Sequence, residues 1–547
     1  MSKISQYLNE HISGEVVVSK AIREHFATDA SVLTVTPEMV VYPRVTNDIR
    51  KVARFAWQLA EKGHVLALTA RGGGSDQTGA AIGDGAILAT TTHLNKIFEL
   101  DAKQKLVRLQ PGVMFKTLND ALALHGLHIP SYPLSAAYST VGGAVANNAS
   151  GELSGRYGAV DQWVQQLEVV LSNGDVLQTG RISKRELSRK KGLQGLEGDI
   201  YRKIDSLILD NAATIDIIAT DVRDNAGYSG IAKVRRSDGS FDLTPLILGS
   251  QGTLGVVSEL IMKAEFFSIE QTVAVAVFET SAAARDAIDF IAKQQPAFLD
   301  VIDSELFQIA ARAGKRYAFY ENVFKGREVT GSVLIFGFDE FNGRTRSRKL
   351  RRVLRDLNKS NAVVVTTSES DEVAALLEAR NVISFTLNPD TDGVSTPPFI
   401  NGVYVPIERF EEFSVAVNEL AQKHHVTLPI YGRGVDNVWH VRPVLQLHKV
   451  GDKQKIFKLL DEYSALVAAH GGHIVGEAAE GRLKAGFAYK YIDEAELELY
   501  KQIKEAFDPY HILNPGVKTD TPVRELVSHL RTDYTTAAFA DFLPGSQ

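Results

Sequence analysis

The sequence contains no cysteine among its 547 residues. Without a thiol the chain forms no disulfide, holds no thiolate zinc site or cysteine-bound iron–sulfur cluster, and offers no cysteine nucleophile. Any redox chemistry must therefore use a bound organic cofactor or a metal held by nitrogen and oxygen ligands.

Long hydrophobic runs are also missing. No stretch approaches the ~18 uninterrupted apolar residues of a membrane-spanning helix. The amino terminus, MSKISQYLNEHISGEVVVSK, lacks the apolar core of a signal peptide. We therefore expect a cytoplasmic protein without a transmembrane segment. Peripheral membrane contact stays open, although we recognise no basic amphipathic segment that argues for it.

A strong excess of charge of either sign is the third absence. The formal net charge is -6, with 44% hydrophobic and 23% charged residues, as in an ordinary globular protein. Nucleic acid is therefore not expected as the main partner. The length exceeds the ~250–300 residues over which one core grows, so we expect two or more domains and room for a bulky cofactor.

Two patterns of secondary structure follow one another along the chain. Residues 40–255 alternate short β-branched runs, glycine turns and a few helical stretches, and Asn173-Gly174 in LEVVLSNGDVLQTG predicts a hairpin with a type I′ turn. From about Glu265, helical runs such as SRKLRRVLRDLNK alternate with strands such as SVLIFGF. The predicted fold class is α+β, with an antiparallel sheet in the second domain.

The stretch RGGGSDQTG, residues 71–79, is a glycine-rich turn between two apolar runs. Such turns often hold phosphate, because backbone N–H groups approach oxygen closely where no Cβ intervenes. GSDQTG has the glycine spacing of a nucleotide-triphosphate loop, but Ala80 and Ala81 stand where lysine and serine or threonine are required. The dinucleotide fingerprint fails because Gln77 occupies its last glycine position. By itself the stretch is equally compatible with a structural turn.

Other motifs follow this turn in a fixed order. They include SYPLSAAYSTVGGAVANNASGELSGRYG (131–158), the hairpin, LILGSQGTLGVVSE (246–259) and FDPYHILNPGVK near the carboxyl end, and VVYPRVTNDI precedes the turn. Together they resemble the flavin-dependent D-2-hydroxyacid dehydrogenase group, which includes D-lactate, glycolate and D-2-hydroxyglutarate dehydrogenases. This group lies within the vanillyl-alcohol-oxidase-type flavoprotein superfamily. The likeness extends from about residue 24 to residue 518.

The resemblance implies a domain organisation. Residues 36–265 would form a two-part FAD-binding domain of the p-cresol methylhydroxylase (PCMH) type, and 266–505 an α+β cap domain for the substrate. Residues 1–35 would be an amino-terminal segment, and 506–547 a closing motif that returns to the flavin followed by a tail. Gln251 stands where glutamate is common in the group, which we interpret as a minor change.

The resemblance also implies FAD as the cofactor. The N–H groups of residues 72–75 would face its two phosphates without a cationic clamp. The alternative is a set of tight turns in a β-rich domain, and for Asn514 a turn before Pro515-Gly516. The residues assigned to FAD are Arg71, Gly72, Gly73, Gly74, Ser75, Asp76, Pro133, Ser135, Thr140, Val141, Gly142, Gly143, Ala146, Asn147, Asn148, Gly158, Gly252, Val257 and Asn514. Since the first loop has no histidine and the chain no cysteine, we expect the FAD to be non-covalent.

The second domain departs from the group at two motifs. The group often binds a divalent metal through two histidines in a stretch like YGHxGDGNLH and a glutamate in a stretch like GEHG, whose histidine is the proposed base. Here YGRGVDNVWH and GEAAEG place Arg433 at the first histidine and Ala478 at the base, while His440 and Glu477 remain. A guanidinium has no lone pair for a metal, so we expect no metal site.

The candidates for substrate chemistry are His440, Arg380, Glu477, Arg433 and Tyr431. Arg433 would hold a substrate carboxylate or a developing alkoxide in place of the metal. Alternatively it pairs with Glu477 or Asp436, or activity on the ordinary substrates is lost. His440 is the candidate proton acceptor. The alternative is an interior histidine whose hydrogen bonds are satisfied within the protein. Arg380 matches an arginine that binds the substrate carboxylate in the group. The alternative is an exposed arginine on a helix.

Two functions are compatible with these features. The first is an FAD-dependent oxidoreductase that takes a hydride from a hydroxyl-bearing carbon, as in D-lactate or glycolate, and passes electrons to a quinone, a carrier protein or oxygen. The second is a flavin-binding subunit of a larger redox complex, with lost or altered catalysis. Any iron–sulfur cluster would lie on a separate partner. In INGVYVPIERF, Asn401 and Gly402 replace two acids of the group, which weakens a transfer of substrate identity.

Overall fold

The computed structural model describes residues 3–221, 224–268, 270–312, 314, 316–317, 331–360, 362–367, 370–383, 396–532 and 534. The chain folds into two units. The first comprises residues 1–149, 159–265 and 477–530, and the second comprises 150–158, 266–476 and 531–547. The long middle segment of the second unit therefore ends at Gly476. The reason is that the Glu494–Phe507 helix buries Leu499, Ile503 and Phe507 in a core of the first unit.

The strands are β1 (Glu15–Val17), β2 (Met39–Tyr42), β3 (Leu68–Arg71), β4 (Ala86–Ala89), β5 (Ile97–Asp101), β6 (Leu106–Leu109), β7 (Leu127–His128), β8 (Val164–Val170), β9 (Val176–Gln178), β10 (Val256–Lys263), β11 (Glu265–Phe266), β12 (Thr272–Val277), β13 (Phe298–Asp303), β14 (Ser332–Phe338), β15 (Val363–Thr367), β16 (Val403–Tyr404), β17 (Ile430–Arg433) and β18 (Val438–Val441).

The helices are α1 (Lys3–His11), α2 (Lys20–His25), α3 (Thr46–Ala60), α4 (Phe115–Ala123), α5 (Val141–Ala146), α6 (Ser154–Tyr157), α7 (Lys184–Lys191), α8 (Leu196–Asp210), α9 (Ala212–Thr220), α10 (Thr244–Ile247), α11 (Ser281–Lys293), α12 (Ser304–Arg312), α13 (Gly343–Leu357), α14 (Ser370–Glu378), α15 (Phe410–His424), α16 (Val450–Ala469), α17 (Ala485–Ala488), α18 (Glu494–Phe507) and α19 (Val523–Ser528). Short 3-10 turns lie at Val160–Gln162, Ser229–Lys233, Ala379–Ile383, Ile407–Arg409 and Tyr489–Tyr491. Among the described residues, none of the helices combines the length and the apolar character needed to cross a membrane.

Among the described residues, the first unit is built on two larger sheets. One has the order β1-β2-β4-β3, in which β2, β4 and β3 run parallel. Helix α3 repeats apolar residues at helical spacing, at Ile49, Val52 and Ala56, and packs them into the core that also contains Leu68 of β3. The second sheet has the antiparallel order β5-β6-β10-β8-β9. Alternate residues of β10 are buried, as expected for a strand with one face on a core.

The predicted hairpin is present, but its turn differs from the prediction. β8 and β9 pair antiparallel, with Val170 opposite Val176. Gly174 has φ +83°, whereas Asn173 is not among the residues with positive φ, so the turn is not of type I′. The Asn173 side chain accepts a hydrogen bond from the Asp175 N–H at 2.9 Å, an Asx turn that favours a longer loop.

The second unit contains one seven-stranded antiparallel sheet, as predicted. Its order is β15-β12-β14-β13-β17-β18-β16. On one face, a core is formed by Phe298 and Ile302 of β13, Tyr431 of β17, Leu306 of α12 and Val382 of the 3-10 turn Ala379–Ile383. This face is the one on which the candidate substrate residues lie.

Helix α13 corrects the expectation that the chain has no basic amphipathic segment. Val353 and Leu357 are buried, whereas five arginines of the helix are exposed.

A buried ion pair ties the carboxyl-terminal part of the first unit together. Lys518 Nζ lies 2.7 Å from Glu480 Oε2, and both side chains are completely buried. Glu480 Oε1 also accepts hydrogen bonds from the Gly227 N–H at 2.8 Å and the Tyr489 hydroxyl at 2.7 Å. Burial lowers the pKa of Lys518 and the Glu480 charge opposes this, so each charge depends on the other.

We expect Lys518→Met to lower the free energy of unfolding by about 3–5 kcal/mol, because Glu480 would be left buried without a counter-ion. Urea denaturation of the variant and the parent protein measures this difference. In the exposed Arg108–Glu259 pair, Arg108→Met should cost no more than about 1 kcal/mol. Equal costs for the two variants would contradict the assignment of a structural role to the buried pair.

Candidate functional site

The glycine loop that follows β3 presents a row of backbone N–H groups. β3 ends at Arg71, and the chain turns through residues 72–76. Within the described ranges, no protein acceptor takes a hydrogen bond from the backbone N–H of any of these five residues. Consecutive N–H donors in a half-buried turn suit the oxygens of a phosphate group. The loop therefore fits the pyrophosphate that the sequence predicts.

The glycines also allow this loop to touch a second predicted FAD segment. A Cβ on Gly72 would lie 2.1 Å from Thr140 Oγ1, and a Cβ on Gly73 would lie 2.1 Å from the Tyr138 carbonyl oxygen. Ser75 Oγ lies 2.6 Å from Ser139 Oγ, which continues the contact. Any larger residue at position 72 or 73 would separate the two segments, so these glycines are required for packing as well as for access.

Arg71 supports the loop from within the protein. Its Nη1 donates to the carbonyl oxygens of Phe26 at 3.4 Å and Ala81 at 3.3 Å, and its guanidinium lies 5.0 Å from the centre of the Phe26 ring. A Cβ on Gly74 would lie 2.4 Å from this guanidinium. The Arg71 side chain thus stabilises the fold of the loop, and its role toward FAD stays a prediction.

A relay of side-chain hydrogen bonds connects the loop with three later segments of the first unit. Asn147 Nδ2 donates to Asp76 Oδ1 at 3.1 Å, Gln251 Nε2 donates to Asn147 Oδ1 at 2.7 Å, and the Gly481 N–H donates to Gln251 Oε1 at 2.9 Å. Gln251 Nε2 also reaches Thr78 Oγ1 at 3.2 Å. An ionised carboxylate only accepts and a backbone N–H only donates, so the two ends of the relay fix the orientation of both amides.

Two other predicted FAD residues use their amides on the protein itself. Asn514 Nδ2 donates to the carbonyl oxygens of Ala80 at 2.9 Å and Gln251 at 2.8 Å, and its Oδ1 accepts from Thr69 Oγ1 at 3.0 Å. Asn148 Nδ2 donates to Asn225 Oδ1 at 3.0 Å. These contacts favour a positioning role for Asn514 in the closing motif, the turn-like alternative of the sequence analysis.

The remaining predicted FAD residues divide between the units. Those in the first unit are Pro133, Ser135, Val141, Gly142, Gly143, Ala146, Gly252 and Val257. Gly158 lies in the second unit, at the end of the segment 150–158, which interrupts the first unit in the sequence. The structure thus brings the glycine loop, Thr140 and Asn147 together and assigns Gly158 to the other unit.

Two buried ionisable residues, Asp29 and Lys484, interact electrostatically with Asp76 of the loop. Burial, together with the Asp76 charge, raises the pKa of Asp29 to about 7. The Ala30 N–H donates to the Gly74 carbonyl at 3.0 Å, which joins the Asp29 segment to the loop. Burial lowers the pKa of Lys484 to about 8, against the charges of Glu480 and Glu477. Glu477 belongs to the first unit, whereas the other four candidate catalytic residues belong to the second.

In the second unit, strand register places the candidate substrate residues on one face of the sheet. Asp300 pairs with Arg433 across β13 and β17, and Tyr431 pairs with His440 across β17 and β18. Because side chains alternate between faces, residues two apart share a face, which adds Arg442 to the set. All of these side chains are buried or nearly so.

Arg380 is buried among acids and is not an exposed helix residue. Its guanidinium pairs with the Asp300 carboxylate, its Nη1 lies 2.8 Å from Glu152 Oε2, and it stacks 4.4 Å from the centre of the Phe298 ring. Burial raises the pKa of Asp300, and the charges of Arg380 and then Arg433 oppose this rise. Of the two acids, Glu152 is the more exposed.

Arg433 pairs with Asp436, one of the two partners that the sequence left open. Its Nε lies 3.1 Å from both Asp436 oxygens, and its Nη2 donates to Ser150 Oγ at 3.1 Å. Asp436 also accepts from Ser154 Oγ at 2.6 Å. Arg433 and Asp436 thereby hold the segment 150–158 against the sheet of the second unit.

His440 is oriented by the backbone of Gly402. The Gly402 N–H donates to His440 Nδ1 at 3.0 Å, and the ring stacks on Tyr431 with centroids 4.7 Å apart. A neutral histidine that accepts at Nδ1 carries its proton on Nε2. His440 therefore offers a donor at Nε2, which disagrees with the predicted role of proton acceptor in this tautomer. Gly402 has φ +62°, a conformation in which the replaced acid would be strained.

Several residues of both clusters were not found from the sequence. Gln251 was interpreted as a minor change, and Asp300 and Glu152 were not considered. Their partners lie far along the chain, such as Gly481 for Gln251 and Arg380 for Glu152, so no local spacing marks them. The only available signal was Gly402, which replaces an acid of the group. In the structure its N–H contacts His440.

Two family models match the chain. Residues 37–180 match an FAD-binding domain, and residues 269–517 match the C-terminal domain of FAD-linked oxidases. These matches confirm FAD as the cofactor predicted from the sequence.

Curated relatives match at low identity over most of the chain. D-2-hydroxyglutarate dehydrogenase of Pseudomonas putida is 28% identical over 94% of this chain and 51% of its own length. The glycolate oxidase subunit GlcD of Bacillus subtilis is 26% identical over 88% of both chains, and D-lactate dehydrogenase of Archaeoglobus fulgidus is 25% identical over 87% of this chain and 90% of its own. The chain spans about half the length of the D-2-hydroxyglutarate dehydrogenases that it matches.

Solved structures confirm the predicted α+β fold of the PCMH type. p-Cresol methylhydroxylase with substrate bound gives a TM-score of 0.70 at 14% identity, over 95% of this chain and 97% of its own. The 4-ethylphenol oxidase of Gulosibacter chungangensis gives 0.68 at 16% identity with the same coverage. The chain therefore carries an FAD-binding domain followed by the C-terminal domain of FAD-linked oxidases, and it is homologous to D-2-hydroxyglutarate and D-lactate dehydrogenases and a glycolate oxidase subunit.

Proposed function

We propose that this protein is an FAD-dependent oxidoreductase that removes a hydride from the hydroxyl-bearing carbon of a 2-hydroxy acid. The observation that supports the substrate class most directly is the buried Arg380, whose guanidinium already binds the carboxylate of Glu152. Guanidinium groups bind carboxylates through paired N–H donors. The names of the three relatives, all acting on hydroxy acids, agree with this chemistry.

FAD would be held by the first unit. The N–H groups of residues 72–76 would bond its pyrophosphate, and Thr140 and Asn147 would line the segment beside it. FAD supplies the two-electron acceptor that no amino acid side chain provides. We expect it to dissociate, because the loop contains no histidine and the chain no cysteine.

The substrate carboxylate would bind to Arg380. Glu152, the more exposed of its two acidic partners, already presents a carboxylate to Nη1 of this guanidinium. An incoming carboxylate would replace Glu152, whereas Asp300 would stay and hold the guanidinium in place. Arg433 would act on the substrate indirectly, since its Nε is engaged by Asp436.

His440 would donate its Nε2 hydrogen to the substrate. A donor at this position would stabilise the negative charge that develops on the substrate oxygen as its hydroxyl proton leaves to water. The hydride would then pass from the same carbon to the flavin. These residues do not fit the metal that the resemblance implies, because Arg433 offers no lone pair and the Gly402 N–H occupies His440 Nδ1. We therefore assign no step to a metal.

The alternative, a flavin-binding subunit with lost or altered catalysis, is favoured by Ala478 and by the Arg433–Asp436 pair. The acceptor under the main proposal is a quinone, a carrier protein or oxygen.

The function is tested by anaerobic reduction of the FAD-loaded protein. D-Lactate, glycolate and D-2-hydroxyglutarate, with sugars and polyols as controls, are added while the flavin absorbance near ~450 nm is followed. We expect at least one 2-hydroxy acid to bleach it. His440→Gln, which keeps a donor, should retain much more of the rate than His440→Ala, whose loss should be roughly 100-fold or more. Equal losses would instead assign His440 as the base, and no bleaching by any compound would favour the flavin-binding subunit.

The amide relay predicts that Gln251→Glu weakens FAD binding. The change replaces the donor to Asn147 and Thr78 with a carboxylate, and we expect the dissociation constant for FAD to rise roughly tenfold or more. Titration of the apoprotein with FAD, followed by flavin fluorescence, measures it. The exposed Gln104→Glu variant, which makes the same chemical change, should bind FAD normally. An unchanged dissociation constant in Gln251→Glu would show that the relay does not contribute to FAD binding.

Asp29 predicts a pH dependence of FAD affinity. Its pKa in the folded protein is raised to about 7, so below that pH the carboxyl is neutral and above it the group becomes an anion close to Asp76 and the phosphate-binding loop. FAD affinity should therefore fall as pH rises through about 7, and Asp29→Asn should flatten this change. Fluorescence titrations between pH 6 and 8, a window set by the ~1-unit width of a single titration, test it. A parallel decline in both proteins would assign the effect to another group.

A further inference from the structure

The outer face of helix α13 carries a row of arginines. Arg344, Arg348, Arg351, Arg352 and Arg355 are all exposed. Their spacing of i, i+4, i+7, i+8 and i+11 places them on one face, about 16 Å long. The opposite face packs into the second unit through Val353 and Leu357. The helix is therefore fixed to its unit with its basic face outward.

These charges have no counter-ions in the part of the chain that the structure describes. The other basic residues of the helix do pair with acids, Arg346 with Glu270 and Lys349 with Glu340. For the five outer arginines no ion pair is found among the described residues, and Arg351 makes only a bond from Nε to the Ser347 carbonyl at 3.1 Å. Asp356 pairs with Lys359.

The row is unfavourable for the isolated helix. Like charges three and four residues apart repel, and Arg344 adds a positive charge at the amino end, where the helix dipole disfavours it. The whole chain has a net charge of -6, so a generally basic composition does not explain the row. A partner with a dense negative surface would remove this repulsion.

We propose that this face docks on a membrane surface containing anionic phospholipids. A row of arginines on an exposed helix faces a flat or extended array of negative groups, such as lipid phosphates, better than a small molecule. Phe341, next to the amino end of the row, is 68% exposed and places an apolar side chain where a lipid interface would accept it. Exposed aromatic and basic side chains together favour a lipid surface over an acidic protein or nucleic acid. This proposal does not depend on the proposed function.

Sedimentation with vesicles tests the docking surface. The full-length FAD-loaded protein is mixed with vesicles of phosphatidylcholine alone or with added phosphatidylglycerol, at low and high sodium chloride. We expect binding only to the anionic vesicles and its loss at high salt, where exposed charges are screened. Arg348→Gln/Arg352→Gln should weaken the partition coefficient roughly 30-fold, at about 1 kcal/mol for each charge.

A matched control comes from helix α7 of the first unit. Arg185 and Arg189 are also exposed and four residues apart, but Glu186 lies between them. Arg185→Gln/Arg189→Gln should leave vesicle binding unchanged, and both double variants should keep the bound flavin, which shows that they fold. No binding to anionic vesicles, equal binding by the Arg348/Arg352 variant, or binding of that face to RNA or an acidic polypeptide in place of vesicles would overturn the proposal.

Discussion

The orientation of two amides, Asn147 and Gln251, is the constraint on which the first unit depends. Asp76 accepts at one end of the relay and the Gly481 N–H donates at the other, so neither amide can turn over without losing a bond. The relay joins four stretches that lie up to about 400 residues apart in the chain, a separation across which ordering is entropically costly. The glycine loop thus gets its shape from the segments around it, while its own N–H groups stay available to phosphate.

The second unit solves a different problem, the burial of charge. Arginines and acids lie together at one face of a sheet that is otherwise packed with aromatic and aliphatic side chains. Buried charges are tolerated when they are paired and hydrogen-bonded. The same pairing prepares the guanidinium of Arg380 for a carboxylate without leaving it desolvated and alone. The cost is competition, because Glu152 must leave before another carboxylate can bind.

The sequence predicted local features better than the contacts between them. The α+β class, the glycine loop, strand SVLIFGF and the helices of the second unit followed from residue spacing, because periodicity reports burial of one face. The hairpin turn was assigned wrongly, since the Asx turn of Asn173 competes with the type I′ geometry. Gln251, Asp300 and Glu152 act through partners distant in sequence, and helix α18 joined the first unit for the same reason. The basic face of α13 was readable, but only by projecting the arginines onto the helix.

The path of the chain between the units has a consequence for the protein as a whole. The backbone passes from one unit to the other after residues 149, 158, 265, 476 and 530, five times in all. Neither unit is therefore a contiguous stretch that a single cut would release.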